Sequence, residues 1–148
     1  MQYTTARTGK VLILRLEDGD PVYESIEKTA ETEGISSGIV WCIGGVKNGK
    51  VVVGPKNDTA IPIEPMLETF TDAREIIGFG TLFKNSAGKV SLHLHAGIGK
   101  DTKTIVGCPR KGLDCWLITE VIIMELTDAA AKRVKNQSSG FELLEVNR

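Results

Sequence analysis

Apolar residues along this chain fall into short runs, and their spacing changes character once. Val11-Leu-Ile-Leu-Arg-Leu16 is almost continuously apolar, which predicts a buried strand. The next segment, Glu17-Asp-Gly-Asp-Pro21, is a stop followed by a start. Asp20 is placed to cap a helix, and Pro21 suits its first position. Val22, Ile26, Thr29 and Ala30 then recur at helical spacing, with Glu24, Glu27, Lys28 and Glu31 turned to water. Gly34 supplies the stop.

From Ile35 onward the pattern is β. Ser37 to Ile43 is a strand running into Gly44-Gly45. Asn48-Gly49, between apolar runs, is a strong hairpin signal, and Val51 to Val53 starts the return strand. Ile61 to Ile63 is short and broken by Pro62, which suits an edge strand. Strands follow at Glu64 to Phe70 and Glu75 to Phe83, and Ser86 to Lys89 is a turn. Thr104 to Val106 is short, and Trp116 to Leu126 is long. Ala129 to Val134 reads as a helical turn, and Phe141 to Leu144 as a last strand. One helix among many strands predicts an α+β domain: a mixed, mainly antiparallel sheet with the helix packed against it.

The 148 residues suit a single domain spanning 1–148, large enough to be stable without disulfides. Three cysteines, Cys42, Cys108 and Cys115, are an odd number at irregular spacing, which points to a reducing, cytoplasmic setting. Cys42 lies in an apolar run and reads as a core thiol. No apolar run is long enough for a membrane span, and Met1 to Arg7 lacks the apolar region of a signal peptide. The net charge is −1, unlike the strongly basic surface of an autonomous DNA-binding module.

The candidate chemistry lies in Val90-Ser-Leu-His-Leu-His-Ala-Gly-Ile98, which alternates strictly and holds both histidines. In a strand, Val90, Leu92, Leu94 and Ala96 share one face, and Ser91, His93, His95 and Gly97 the other. Two imidazoles about 6–7 Å apart at the Cα can converge on one metal ion. Two ligands do not make a site, so a plain polar strand surface is the competing reading.

The order of motifs resembles a known family. Leu14-Arg15-Leu16 precedes a helix, and the strand from Ile39 ends in Ile43-Gly-Gly-Val46. Phe79-Gly-Thr-Leu82 precedes a glycine turn, then Ser91-Leu-His-Leu-His-Ala96 and Val106-Gly107. Glu120 to Leu126 and Gly140-Phe-Glu-Leu-Leu144 complete the series. Together they resemble the PPC ("plants and prokaryotes conserved") domain over nearly the whole chain.

The resemblance implies a mostly antiparallel sheet with one helix, assembled as a homotrimer. In plants the domain follows AT-hooks. The prokaryotic type stands alone, and is labelled DNA-binding by analogy. The resemblance also implies a metal site, built from a His-x-His strand and a Gly-Gly-His step. Here the first half is His93 and His95. The second appears as Gly107-Cys108-Pro109, so proline stands where the third histidine is expected. Cys108 is then the candidate third ligand, and zinc the divalent metal that best suits histidine with cysteine. The one-residue shift conflicts with strand alternation unless a turn at Pro109 relaxes it.

No AT-hook core is present, and Pro109-Arg110-Lys111-Gly112 reads as a solvated basic loop. Lys84, Lys89, Lys100 and Lys103 are scattered. Nucleic acid is therefore a partner by family analogy with little support from the residues. A metal-dependent enzyme is the alternative, with Glu120 or Asp101 as a base that nothing in the sequence places near the histidines. Arg15, inside an apolar strand, is expected to be buried in a structural ion pair or to act as an anion clamp. Gly44-Gly45 marks close backbone packing, and Trp41 and Trp116 are core or interface aromatics. The reading that results is a trimeric binding or regulatory protein, more so than a catalyst.

Overall fold

The computed structural model describes residues 1–110 and 112–147. Lys111 of the basic loop lies outside the described residues. The chain runs β1 (Arg7–Glu17), α1 (Val22–Thr32), β2 (Ser37–Lys47), β3 (Gly49–Pro55) and β4 (Pro65–Phe70). It continues through β5 (Arg74–Lys84), β6 (Val90–Lys100), β7 (Lys103–Pro109), β8 (Asp114–Thr127), β9 (Ala131–Lys135) and β10 (Glu142–Val146). Eight strands form one sheet in the order β1-β8-β2-β5-β6-β7-β3-β4, and β9 and β10 form a separate hairpin.

Every pairing among the described residues is antiparallel, so the sheet is not mixed. The helix joins β1 to β2, which run parallel to each other. But β8 lies between them and pairs antiparallel with both, so no parallel ladder forms. Gly44 and Gly45 sit at the irregularity in the β2–β8 ladder. A Cβ on Gly45 would fall 2.3 Å from the Trp116 carbonyl oxygen, which is the close backbone packing expected there.

Helix α1 buries Val22, Tyr23, Ile26 and Ala30. They join Leu16, Val40, Leu94, Ile98, Val121 and Ile123 in one core. Each large aliphatic side chain so buried stabilises the fold by about 1.5–3 kcal/mol. The helix ends as expected. Gly34 has φ +73°, and the amides of Gly34 and Ile35 donate to the carbonyls of Glu31 and Ala30. This is a Schellman stop, sealed by buried Ile35. The start differs from expectation. Asp20 does not cap the helix; its carboxylate accepts the Glu17 amide and closes the preceding turn. Pro21 stands before the helix, and the Val22 amide donates to the Leu113 carbonyl.

Other expectations are also corrected. β1 is an edge strand rather than a buried one, so Leu12, Leu14 and Leu16 face the core while Val11, Ile13 and Arg15 face out. Arg15 is therefore exposed, and pairs with Glu17, two residues along the same face, at 2.8 Å. Asn48 takes φ 51°, but β2 and β3 do not pair, so Asn48-Gly49 is a bend between distant parts of the sheet. Residues 61–63 form no strand. The alanine-rich 129–134 segment contributes β9, because pairing with β10 overrides helix propensity. Trp41 and Trp116 are partly exposed and lie outside the core, so of the two readings given them only the core one falls.

The sheet face turned away from α1 is apolar and largely open. Cross-strand neighbours form one row over five strands: Ile13, Ile122, Trp41, Phe79 and His95. Ile13 is 83 % exposed and nearby Ile77 70 %, and the Trp41 and Phe79 rings meet edge to face at 5.8 Å.

Candidate metal centre

Strand β6 alternates as its sequence predicts. Val90, Leu92, Leu94, Ala96 and Ile98 are buried, while His93 and His95 are exposed on the opposite face. The β6–β7 ladder runs from the Lys100/Lys103 pair to the Ala96/Gly107 pair. Beyond it, β7 turns to β3, where Cys108 pairs with Val52 and Pro109 with Val51. Gly107 permits the crossing, because a Cβ there would sit 2.2 Å from the Val52 carbonyl oxygen. The parting leaves the β6 amides of Val90 and Leu92 without a β7 partner. Glu31 and Glu27 of α1 accept them, at 3.2 and 3.0 Å. Glu27 is thus partly buried and engaged, not simply turned to water.

The parting also opens a cleft of about 740 Å³ on the other face, bounded by β3, β6, β7 and the β9–β10 hairpin. His93, His95 and Cys108 meet in it, with their donor atoms all within 4.8 Å of one another. The two imidazoles lie 5.0 Å apart between centroids, at 80°. A tetrahedral ion with bonds of 2.0–2.3 Å holds neighbouring donors about 3.5 Å apart, so a closure of little more than ~1 Å would suffice. Two nitrogens and a sulfur are a donor set suited to zinc. They fit such an ion, and three protein donors would leave a tetrahedral ion one open position.

Alternation does not turn Cys108 away, because Val106 and Cys108 both face the cleft. Pro109 serves through its backbone: its carbonyl accepts a hydrogen bond from the buried Tyr23 hydroxyl of α1. That contact fixes the residue next to Cys108. Burial pushes the Tyr23 hydroxyl well above its ordinary range.

The protonation states suit metal capture. Desolvation by the cleft walls lowers the His93 pKa below 6.5, and the positive charge of Arg133, His95 and Arg110 adds to the effect. Its imidazole is therefore neutral at pH 7, with a lone pair available. Burial raises the Cys108 thiol, against the pull of Arg110 and Arg133. A metal arriving there must displace a proton.

The other candidate residues lie elsewhere. Glu120 faces Arg15 across β1–β8, and Asp101 sits in the β6–β7 turn; neither these nor Arg15 lines the cleft. Lys100 is occupied by Asp72 at 2.9 Å. Arg110 of the basic loop does line the cleft. Tyr23 and Arg133 are not evident from the sequence. Arg133 is hidden in a segment that reads as helical, although period-two spacing of Ala131 and Arg133 is a faint strand signal.

No curated protein matches the sequence significantly. Among solved structures, the metal-containing protein AF0104 from Archaeoglobus fulgidus is similar, with TM-score 0.84 and 23 % identity over 98 % of this chain and 99 % of that one. A plant- and prokaryote-conserved (PPC) protein from Pyrococcus horikoshii gives TM-score 0.82 and 20 % identity over 100 % and 99 %. A protein from Bacteroides thetaiotaomicron, described as a "putative dna binding protein", gives TM-score 0.78 and 19 % identity over 98 % and 100 %. At these identities the likeness establishes the fold. The model of the Plants and Prokaryotes Conserved (PCC) domain matches residues 3–127, and on that match the chain belongs to this family.

Proposed function

We propose that this chain is a non-catalytic, homotrimeric binding or regulatory protein that holds a divalent metal, zinc, on His93, His95 and Cys108. The observation that carries the reading is the convergence of those three donors in an open cleft. A relative described as metal-containing supports it. Self-association is supported by the apolar row from Ile13 to Phe79, since exposed patches of this kind mark interaction surfaces. Three buried free thiols suit a reducing compartment such as the cytoplasm. Among the described residues, no helix is long and apolar enough to cross a membrane. Relatives described as DNA-binding favour a nucleic-acid role, but the net charge of −1 and the missing AT-hook weigh against tight binding.

A metal-dependent enzyme is the second reading, favoured by a donor set of three, which would leave a tetrahedral ion one position for water. It requires a base within reach. Glu120 and Asp101 do not line the cleft, which places Glu142 first among the carboxylates to test. Metal analysis and zinc calorimetry on wild type, on the His93→Ala/His95→Ala double variant and on Cys108→Ser decide the main reading. Wild type should bind one zinc per chain, the double variant none, and Cys108→Ser more weakly, because a hydroxyl is a poorer ligand than a thiolate. A wild-type protein that takes up no zinc sinks the reading.

A further inference from the structure

We propose that the hairpin wall of the cleft recognises a small organic carboxylate, with the Arg133 guanidinium as its anchor. Arg133 projects from β9 and is 5 % exposed, yet it lines the cleft. Its Nη2 donates to the Thr81 hydroxyl at 2.8 Å and to the Thr81 carbonyl at 3.3 Å. Thr81 is the cross-strand partner of His93, so the guanidinium is held beside the donor cluster. The Nε of Arg133 has no hydrogen-bond partner among the described residues. No carboxylate forms an ion pair with Arg133 among them either, although Glu142 is near enough to favour its charged form.

A buried cation without a paired anion costs stability. Such a cost is tolerated where a ligand supplies the missing charge. Arg110 adds a second cation at the cleft. A zinc ion on His93, His95 and Cys108 would leave the cleft positive even after the Cys108 thiolate and Glu142 are counted; this part rests on the metal reading above. An anion is therefore the complementary ligand. A carboxylate matches the planar fork of arginine, and can turn its second oxygen toward the metal position. The remaining walls are apolar: Val52, Val53 and Val106 on one side, Phe141 and Leu143 on the other. They suit a hydrocarbon body better than a bare inorganic anion.

The test is calorimetric titration of the zinc-loaded full chain with benzoate, and separately with inorganic phosphate. Benzoate should bind saturably, and phosphate at least about tenfold more weakly. Arg133→Gln should weaken benzoate binding about tenfold or more while zinc still binds at one per chain; Arg133→Lys, which keeps charge without the fork, should fall between. In case Arg133→Gln disturbs the hairpin, Arg110→Gln on the exposed loop should weaken benzoate about threefold, and the Arg133 Nε–H NMR signal of wild type should move on benzoate addition. The proposal is overturned if wild type shows no saturable benzoate binding up to about 10 mM, if phosphate binds as well as benzoate, or if folded Arg133→Gln binds benzoate as wild type does. Repeating the titration on metal-free protein separates the two readings. Arg133-dependent benzoate binding in a chain that takes no zinc keeps the carboxylate site and removes the metal. Zinc uptake without benzoate binding does the reverse.

Discussion

Phe79 stands directly opposite His95 across the β5–β6 ladder, so the apolar row of the open sheet face ends on a candidate metal ligand. The surface proposed for self-association and the donor cluster are therefore continuous. Phe79→Asp tests this link. In a monomer, a residue 52 % exposed tolerates a charge within about 0.5 kcal/mol. In an assembled interface the same charge is desolvated without a partner. Light scattering should show wild type at three times the 16.0 kDa chain mass and Phe79→Asp at the chain mass. A monomeric wild type at micromolar concentration refutes the trimer.

Tyr23→Phe should loosen the Cys108 loop from a distance. The change removes the buried hydroxyl that donates to the Pro109 carbonyl. The carbonyl is then left only the weak Cys108 thiol donor at 3.7 Å, at a cost of about 1 kcal/mol. Urea unfolding should show this loss, and zinc should bind several-fold more weakly although all three donors remain. Wild-type zinc affinity in this variant would mean that Cys108 does not depend on the helix for its position.

Zinc affinity should fall as the solution is acidified, with a sign set by two opposite shifts. The Cys108 thiol is raised, so it is protonated at pH 7 and must lose its proton to bind zinc. His93 is lowered, so it is already neutral there and joins the competition only below its ordinary 6.5. One proton should leave per zinc at pH 7, and affinity should drop about tenfold per unit of acidification. Calorimetry in two buffers of different ionisation enthalpy counts the proton. Cys108→Ser should flatten the slope above pH 6.5; an unchanged slope would place the titrating group elsewhere.

Tight, specific DNA binding is not expected of this chain. Its net charge of −1 offers few convergent cations for phosphates. An anisotropy titration at physiological salt should give weak association without sequence preference. Submicromolar affinity for one sequence over others would reverse this expectation.

The parts of the fold visible in the sequence are those set by local periodicity. The alternation of 90–98 identifies the histidine strand and its faces, and the 22–34 pattern identifies the helix and its glycine stop. What pairing decides is hidden. Asn48-Gly49 has hairpin chemistry, but no local signal says that β8 and β5, not β3, flank β2. Arg15 looks buried because an edge strand carries apolar residues on both faces here. Cys108 is suggested only by its place beside Pro109 in the family pattern; its approach to the histidines depends on β7 leaving β6 for β3. Arg133 is invisible because three alanines before it favour a helix that the β10 pairing prevents.

The hairpin of β9 and β10 lies at 131–146, outside the family match at 3–127, while His93, His95 and Cys108 lie within it. On the proposals above, the metal donors and the Arg133 anchor come from different stretches of chain. Exchanging Arg133, Phe141 and Leu143 would retarget the cleft without disturbing its metal donors. On these proposals the hairpin is a rim whose side chains can be changed while the donors beneath it stay in place.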